Sequence, residues 1–345
     1  MEATRAGSGT AAQSSSASVE TLLAGSIETV FSEREADLVV TARVAVADGV
    51  VALTFSDPVG AELPAWTPGA HVDVVLPGGV TRQYSLCGLP DDRRAYRIAV
   101  LRDDAGRGGS RQVHELLQEG TTGRVRGPRN HFPLLPASRY IFVAGGIGIT
   151  PLLPMIAAAR SAGSDWELHF GGRTRTSMAF VDEVRSTGGR VSLWPQDEKG
   201  LLDLVAILGT PSPETLVYAC GPEPLLAAVE QQCAPWERGT LHVERFAAKP
   251  QEASAGADSF DVVLARSGVT VTVSPDSTIV DAVEKAGVSV LTSCLEGVCG
   301  TCETAVLEGT PDHRDSLLTD DEREAGDYMM ICVSRCLGPK LVLDL

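Results

Sequence analysis

Four cysteines close to the C-terminus, Cys294, Cys299, Cys302 and Cys332, constrain this chain more than any other feature. Their spacing is C-x4-C-x2-C, then twenty-nine residues, then C. Plant-type ferredoxins space their thiolates in this way around a two-iron, two-sulfur cluster. Three of the cysteines share one tight loop. Its small residues Gly297, Gly300 and Thr301 let backbone N–H groups crowd the cluster sulfurs and tune the potential. A zinc site usually wants C-x2-C pairs in duplicate, and only one is present. A disulfide set suits a secreted chain, and nothing marks this one as secreted. The pattern therefore implies a [2Fe–2S] cluster.

A chain of 345 residues has room for two or three domains, and its 43% apolar content argues for packed cores. No stretch approaches a membrane-spanning run of about 20 apolar residues. Residues 1–34 are rich in Ala, Ser, Gly and Thr and read as a disordered leader. Their best apolar run, Thr21-Leu22-Leu23-Ala24, is shorter than the roughly 7–15 residues a signal peptide needs. With Cys87, Cys220, Cys233 and Cys336 also free, a reducing cytoplasm is the expected location. The net charge of −16 speaks against nucleic acid as a partner. From Ala255 onward sixteen acidic residues face six basic ones, a net of −10. That excess serves solubility, or steers a protein with a basic face toward the cysteine segment.

Three kinds of patterning follow one another. Between residues 35 and 136 short alternating runs (Val39 to Val46, Val50 to Phe55, His71 to Leu76, Arg97 to Leu101) are separated by Gly/Pro turns, which suggests a small antiparallel barrel. From residue 137 to 246 apolar strands at Ile141–Ala144, Trp166–Phe170, Arg190–Trp194, Leu216–Cys220 and Thr240–Glu244 alternate with helical stretches. This is the pattern of a parallel sheet with crossover helices. Residues 247–257 read as a linker. Residues 258–345 then open with strands Phe260–Ala265 and Val269–Val273 and a helix at Ile279–Ala286 before the cysteine loop.

Gly145-Gly146-Ile147-Gly148-Ile149-Thr150-Pro151 lies between a buried strand and a helix, where backbone can approach a pyrophosphate at the helix N-terminus. Taken alone it does not separate a nucleotide loop from a tight turn, because it lacks the full G-x-G-x-x-G. Cys220-Gly221-Pro222 ends a second apolar strand, and two such loops on one sheet edge make a nucleotide crevice. In the first segment, Arg82-Gln83-Tyr84-Ser85-Leu86 offers a guanidinium, a ring and a hydroxyl. Gly106 to Arg111 opens a helix that could cradle phosphate.

Together, in this order, these motifs and His242-Val243-Glu244-Arg245-Phe246 resemble the phthalate dioxygenase reductase family, which includes the vanillate demethylase reductases. The resemblance runs along nearly all of the chain after residue 35. It implies a multidomain protein: an antiparallel β-barrel flavin domain, an α/β parallel-sheet nucleotide-binding domain and a C-terminal α+β plant-type ferredoxin (β-grasp) domain. By position it implies that Arg82, Tyr84 and Ser85 bind FMN, with Gly109 and Ser110 near its phosphate. Gly145, Gly146, Gly148 and Thr150 match the NAD(P)-binding loop. Cys220 and Gly221 would lie beside the nicotinamide, Phe246 would cover the flavin, and the four cysteines would bind the metal. NADH is the family donor, yet Arg173 and Arg175 stand where an acidic residue would hold the ribose, so NADPH is admitted. Cys336, four residues after Cys332, is expected to be spare.

A pyridine nucleotide delivers two electrons together and an iron–sulfur cluster accepts one, so a flavin between them must hold the second. The expected order is NAD(P)H to FMN to cluster to an external acceptor, with no catalytic triad. His71, His114, His131, His169, His242 and His313 show no ligand spacing and read as structural. The resemblance implies a monomer whose acceptor is a Rieske-type oxygenase acting on aromatic rings or O-methyl groups. The alternatives are a haem-thiolate monooxygenase as acceptor, or a ferredoxin-like carrier without flavin turnover.

Overall fold

A computed structural model describes residues 34–249 and 258–345 of the chain. The expected leader, save its last residue, and most of the expected linker lie outside the described residues.

The first sheet holds six strands, β1 (Arg34–Ala47), β2 (Val50–Ser56), β3 (His71–Val75), β4 (Thr81–Ser85), β5 (Tyr96–Leu101) and β6 (Thr122–Arg129), in the order β4-β3-β6-β1-β2-β5. All its pairings are antiparallel. The Cys87 N–H donates to the Arg97 carbonyl at 2.8 Å, bringing the chain after β4 back to β5 as a barrel requires. Inward residues such as Val40, Leu53, Val72, Val74 and Ile98 are fully buried. Helix α1 (Gly109–Leu116) buries Val113 against the barrel core.

Strand β6, Thr-Gly-Arg-Val-Arg-Gly-Pro-Arg, was not expected as a strand, since its glycines, proline and three arginines read as loop. It lies inside the sheet between β3 and β1. Val125 turns inward, while Arg124 and Arg126 turn out to Asp37 and Asp73. Ion pairs supply what its propensity lacks.

Five parallel strands form the second sheet: β7 (Arg139–Gly145), β8 (Asp165–Gly172), β9 (Arg190–Pro195), β10 (Thr215–Cys220) and β11 (Leu241–Glu244), ordered β11-β10-β7-β8-β9. Its helices are α2 (Ile149–Ser161), α3 (Val181–Ser186), α4 (Gln196–Lys199), α5 (Leu204–Leu208) and α6 (Glu223–Cys233). The order reverses beside β7, which places the ligand crevice between the β7 and β10 ends. Helix α2 begins at Ile149, directly on the glycine loop. One apolar cluster joins Phe142, Leu152 and Phe170 of this layer to Val50, Cys87 and Phe132 of the barrel, so the two share a core.

The third sheet has the order β13-β12-β18-β14-β16, built from β12 (Phe260–Leu264), β13 (Val269–Val273), β14 (Glu303–Glu308), β16 (Tyr328–Met330) and β18 (Lys340–Leu343). Two-residue strands β15 (Pro311–Asp312) and β17 (Arg335–Cys336) pair beside it, and α8 (Asp320–Ala325) is exposed on its helical turn. Parallel β12 and β18 at the centre, antiparallel neighbours and α7 (Ile279–Lys285) packed through Ile279, Val280 and Val283 make the expected β-grasp. Among the described residues no helix is long and apolar enough to cross a membrane.

Candidate redox site

The two crevice loops touch backbone to backbone. A Cβ on Gly148 would come 2.2 Å from the Cys220 carbonyl oxygen, and one on Gly145 would come 2.6 Å from Pro222 Cδ. Gly221 likewise lies against Gly145. Gly146 has open space around it but a φ of +55°, so there glycine serves conformation rather than closeness. The Thr150 hydroxyl is buried and donates to the Ile147 carbonyl at 3.0 Å, bracing the loop. The sequence motifs are therefore one edge, open to a pyrophosphate at the start of α2.

Cys220 is fully buried, and burial pushes its thiol well above the ordinary value. Its Sγ lies 4.0 Å from Glu244 Oε2, and that same oxygen accepts from the Ser85 hydroxyl at 3.3 Å. Ser85 belongs to the barrel, so at Glu244 the barrel meets the C-terminal edge of the nucleotide sheet. Burial raises the Glu244 carboxyl to about 8, which keeps it protonated at neutral pH. Glu244 was in a motif but had no assigned role; its position at the C-terminal end of an edge strand beside Cys220 was the available signal.

Arg82 lies across the start of α1, where a Cβ on Gly109 would come 2.4 Å from its Nε. Tyr84 Oη and Gln83 Nε2 are buried without a protein partner, which suits a ligand held against β4. Ser110 is turned back into its own loop, taking the Asp103 N–H at 3.0 Å. Phe246, just past β11, keeps 44% of its surface exposed, unlike the core aromatics. These residues fit a flavin: a cation at a helix start, orphaned polar groups and an uncovered ring.

The four cluster cysteines converge, with Cys299, Cys302 and Cys332 buried. Cys294 contacts Cys299 and Cys332, and Cys302 contacts Cys332. The crowded sulfurs hold Cys294 below, and push Cys299 and Cys332 above, the ordinary thiol value, as groups sharing protons do. Among the described residues no group of three His, Cys, Asp or Glu is arranged for a single metal ion. Two pairs of thiols suit a two-iron cluster, each iron taking two. The Glu296 and Thr301 N–H groups donate to Cys294 and Cys299 sulfurs at 3.3 and 3.4 Å. Cys336 lies apart, with its Sγ bonded by the Gly338 N–H at 3.2 Å.

Arg175 is not free. It pairs with Glu198 at 2.8 Å, both groups being half exposed. The groove lined by Pro136, Thr215, Trp236 and Thr240, about 770 Å³, lies at the N-terminal starts of β7, β10 and β11, away from the crevice loops at their C-terminal ends.

Fold and site together define an oxidoreductase that carries a nucleotide crevice, a flavin-type barrel and a ferredoxin domain on one chain. Residues 262–337 match the 2Fe-2S iron-sulfur cluster binding domain. The chain is 44% identical over 301 residues to the phenoxybenzoate dioxygenase subunit beta of Ectopseudomonas oleovorans, covering 87% of this chain and 94% of that one. Phthalate dioxygenase reductase, a structure for electron transfer from pyridine nucleotides to [2Fe-2S], superposes with a TM-score of 0.66 at 37% identity over 90% of this chain and 98% of its own. An intact type IV self-sufficient cytochrome P450 monooxygenase gives a TM-score of 0.85 at 47% identity over 90% of this chain, which spans 41% of that longer protein.

The chain belongs to the phthalate dioxygenase reductase family. It is an NAD(P)H-dependent oxidoreductase whose cofactors are FMN, NADH and a [2Fe–2S] cluster.

Proposed function

We propose that this chain draws electrons from NADH and passes them singly, through its ferredoxin domain, to a terminal Rieske-type oxygenase that acts on an aromatic ring or an O-methyl group. One observation carries the reading most: Cys220, Glu244 and Ser85 bring the nucleotide edge and the barrel to a single point. FMN when bound supplies a carrier that accepts electrons in pairs and releases them one at a time.

The protein residues position and shield. Gly145, Gly146, Gly148 and Thr150 present the α2 N-terminus to the pyrophosphate, while Cys220 and Gly221 set the nicotinamide depth. Arg82 and the α1 start at Gly109 and Ser110 receive the flavin phosphate, Tyr84 and Ser85 border the ring, and Phe246 excludes water above it. Glu244 holds a proton on its carboxyl beside Ser85. Cys294, Cys299, Cys302 and Cys332 hold the cluster. These roles divide the chain into a flavin barrel at 35–136, a nucleotide domain at 137–246 and a cluster domain at 258–345. All eight cysteines are unpaired, as a reducing cytoplasm would keep them.

The oxygenase acceptor rests on a relative named as a dioxygenase subunit and on others named as monooxygenase reductase subunits. The self-sufficient P450 relative favours a second reading, a haem-thiolate acceptor. Cys299→Ser tests the electron order: flavin bleaching by NADH persists and cytochrome c reduction is lost. Cytochrome c reduction at the wild-type rate refutes that order. Supplying a Rieske oxygenase and a haem-thiolate monooxygenase in parallel separates the two acceptors.

A further inference from the structure

The strand that borders the proposed flavin site continues to the cysteine loop through two histidines. His71 in β3 is directly opposite Ser85 in β4, so the two side chains share the face that also meets Glu244. His71 is 6% exposed, and its Nε2 is buried with no protein partner. Its ring stacks on His131, with centroids 5.8 Å apart and planes 28° apart. His131 lies directly over Gly300, where a Cβ would come 2.3 Å from its Nε2. Gly300 sits between Cys299 and Cys302 with a φ of +73°, and a side chain there would run into the His131 ring.

Beside this stack the barrel offers a buried ion-pair seat. Asp73, fully buried, accepts from Arg126 at 2.7 Å and from Arg129 at 2.6 Å. Arg126 also donates to the Thr292 carbonyl at 3.4 Å, two residues before Cys294. An exposed pair, Arg107 with Glu296 at 2.9 Å, closes the rim.

We propose that the His71–His131 stack is a positioning element that seats the cysteine loop against the flavin wall of the barrel and thereby sets the rate of electron passage between them. A file of side chains (Cys220, Glu244, Ser85, His71, His131) runs from the nucleotide edge to Gly300, and the stack is its last link before the thiolates. The inference rests on the reading that the barrel holds flavin and the four cysteines hold the cluster.

The test follows anaerobic reduction of the full chain by NADH, with flavin and cluster absorbance resolved in time. Wild-type protein showing no separate cluster phase would sink the functional reading itself. With that phase present, His131→Ala is expected to leave flavin bleaching within about twofold and slow cluster reduction by about tenfold or more, as a displaced donor–acceptor pair does. His131→Phe, which keeps a ring over Gly300, is expected to restore most of the rate. Iron content and the electron paramagnetic resonance of the dithionite-reduced cluster should match wild type in both variants. An unchanged cluster phase in His131→Ala, a phenylalanine variant as slow as alanine, or loss of iron from either variant would each overturn the inference.

Discussion

Gly148→Ala tests whether the contact between the two crevice loops sets the geometry for reduction by NADH. Gly148 has a φ of −62°, so alanine meets no backbone penalty there and any effect is steric. Its Cβ would come 2.2 Å from the Cys220 oxygen and 2.4 Å from the Cys220 carbonyl carbon. Ordinary contact needs more than 3 Å, so one loop must move by about 1 Å. Overpacking of this kind costs about 1–3 kcal/mol, and Gly148 is the N-cap of α2, where alanine brings no compensating gain. A misplacement of about 1 Å at a reacting centre can cost about 100-fold in rate. The control is Gly163→Ala, past the end of α2. There φ is +73° with open space, so strain of about 1–2 kcal/mol arises without moving Cys220. The assay is anaerobic stopped-flow bleaching of the flavin at saturating NADH, beside thermal melts. The two variants should lose comparable stability, and only Gly148→Ala should lose the fast rate. Equal bleaching rates in both would refute the reasoning.

Glu198→Gln releases Arg175, and because the pair is solvent-exposed and weak, kcat/KM for NADPH relative to NADH should rise only modestly, by up to about fivefold. No change in that ratio would remove Arg175 from nucleotide selection. Glu244, raised to about 8 in the fold from an ordinary value near 4.5, binds its proton more tightly folded than unfolded. Its contribution to stability is complete below about pH 4.5 and fades as the pH rises toward 8. Melting temperatures from pH 5 to 9 should fall more steeply in wild type than in Glu244→Gln; parallel profiles would contradict the assignment. Salt should slow transfer to the oxygenase if the acidic C-terminal segment steers docking, and a rate indifferent to ionic strength would reject steering.

The three sheets were legible because each has a local signature: alternation with Gly/Pro turns, apolar strands separated by helices, and cysteine spacing. Strand β6 was not, since its residues disfavour a strand and are held by partners far away in sequence, Asp37 and Asp73. Strands β14, β16 and β18 went unrecognised for a related reason: they are short, and their pairings join distant segments. The glycine loops were found as motifs, but their mutual contact was not, because Gly148 against Cys220 joins residues 72 positions apart. Glu244 lay inside a motif without a local sign of its role, and the two histidines lie in no motif.

The amino-acid order alone determined the chemistry: thiolate spacing, strand-to-helix glycines and an Arg-Gln-Tyr-Ser strand are local patterns whose geometry follows from adjacent backbone. Only the tertiary structure decided which groups face one another. The meeting of Ser85, Glu244 and Cys220, and the stack of His71 on His131 over Gly300, depend on packing three sheets together. Contacts across sheets leave no periodic trace in sequence, since burial and pairing there are set by long-range closure rather than by neighbours along the chain.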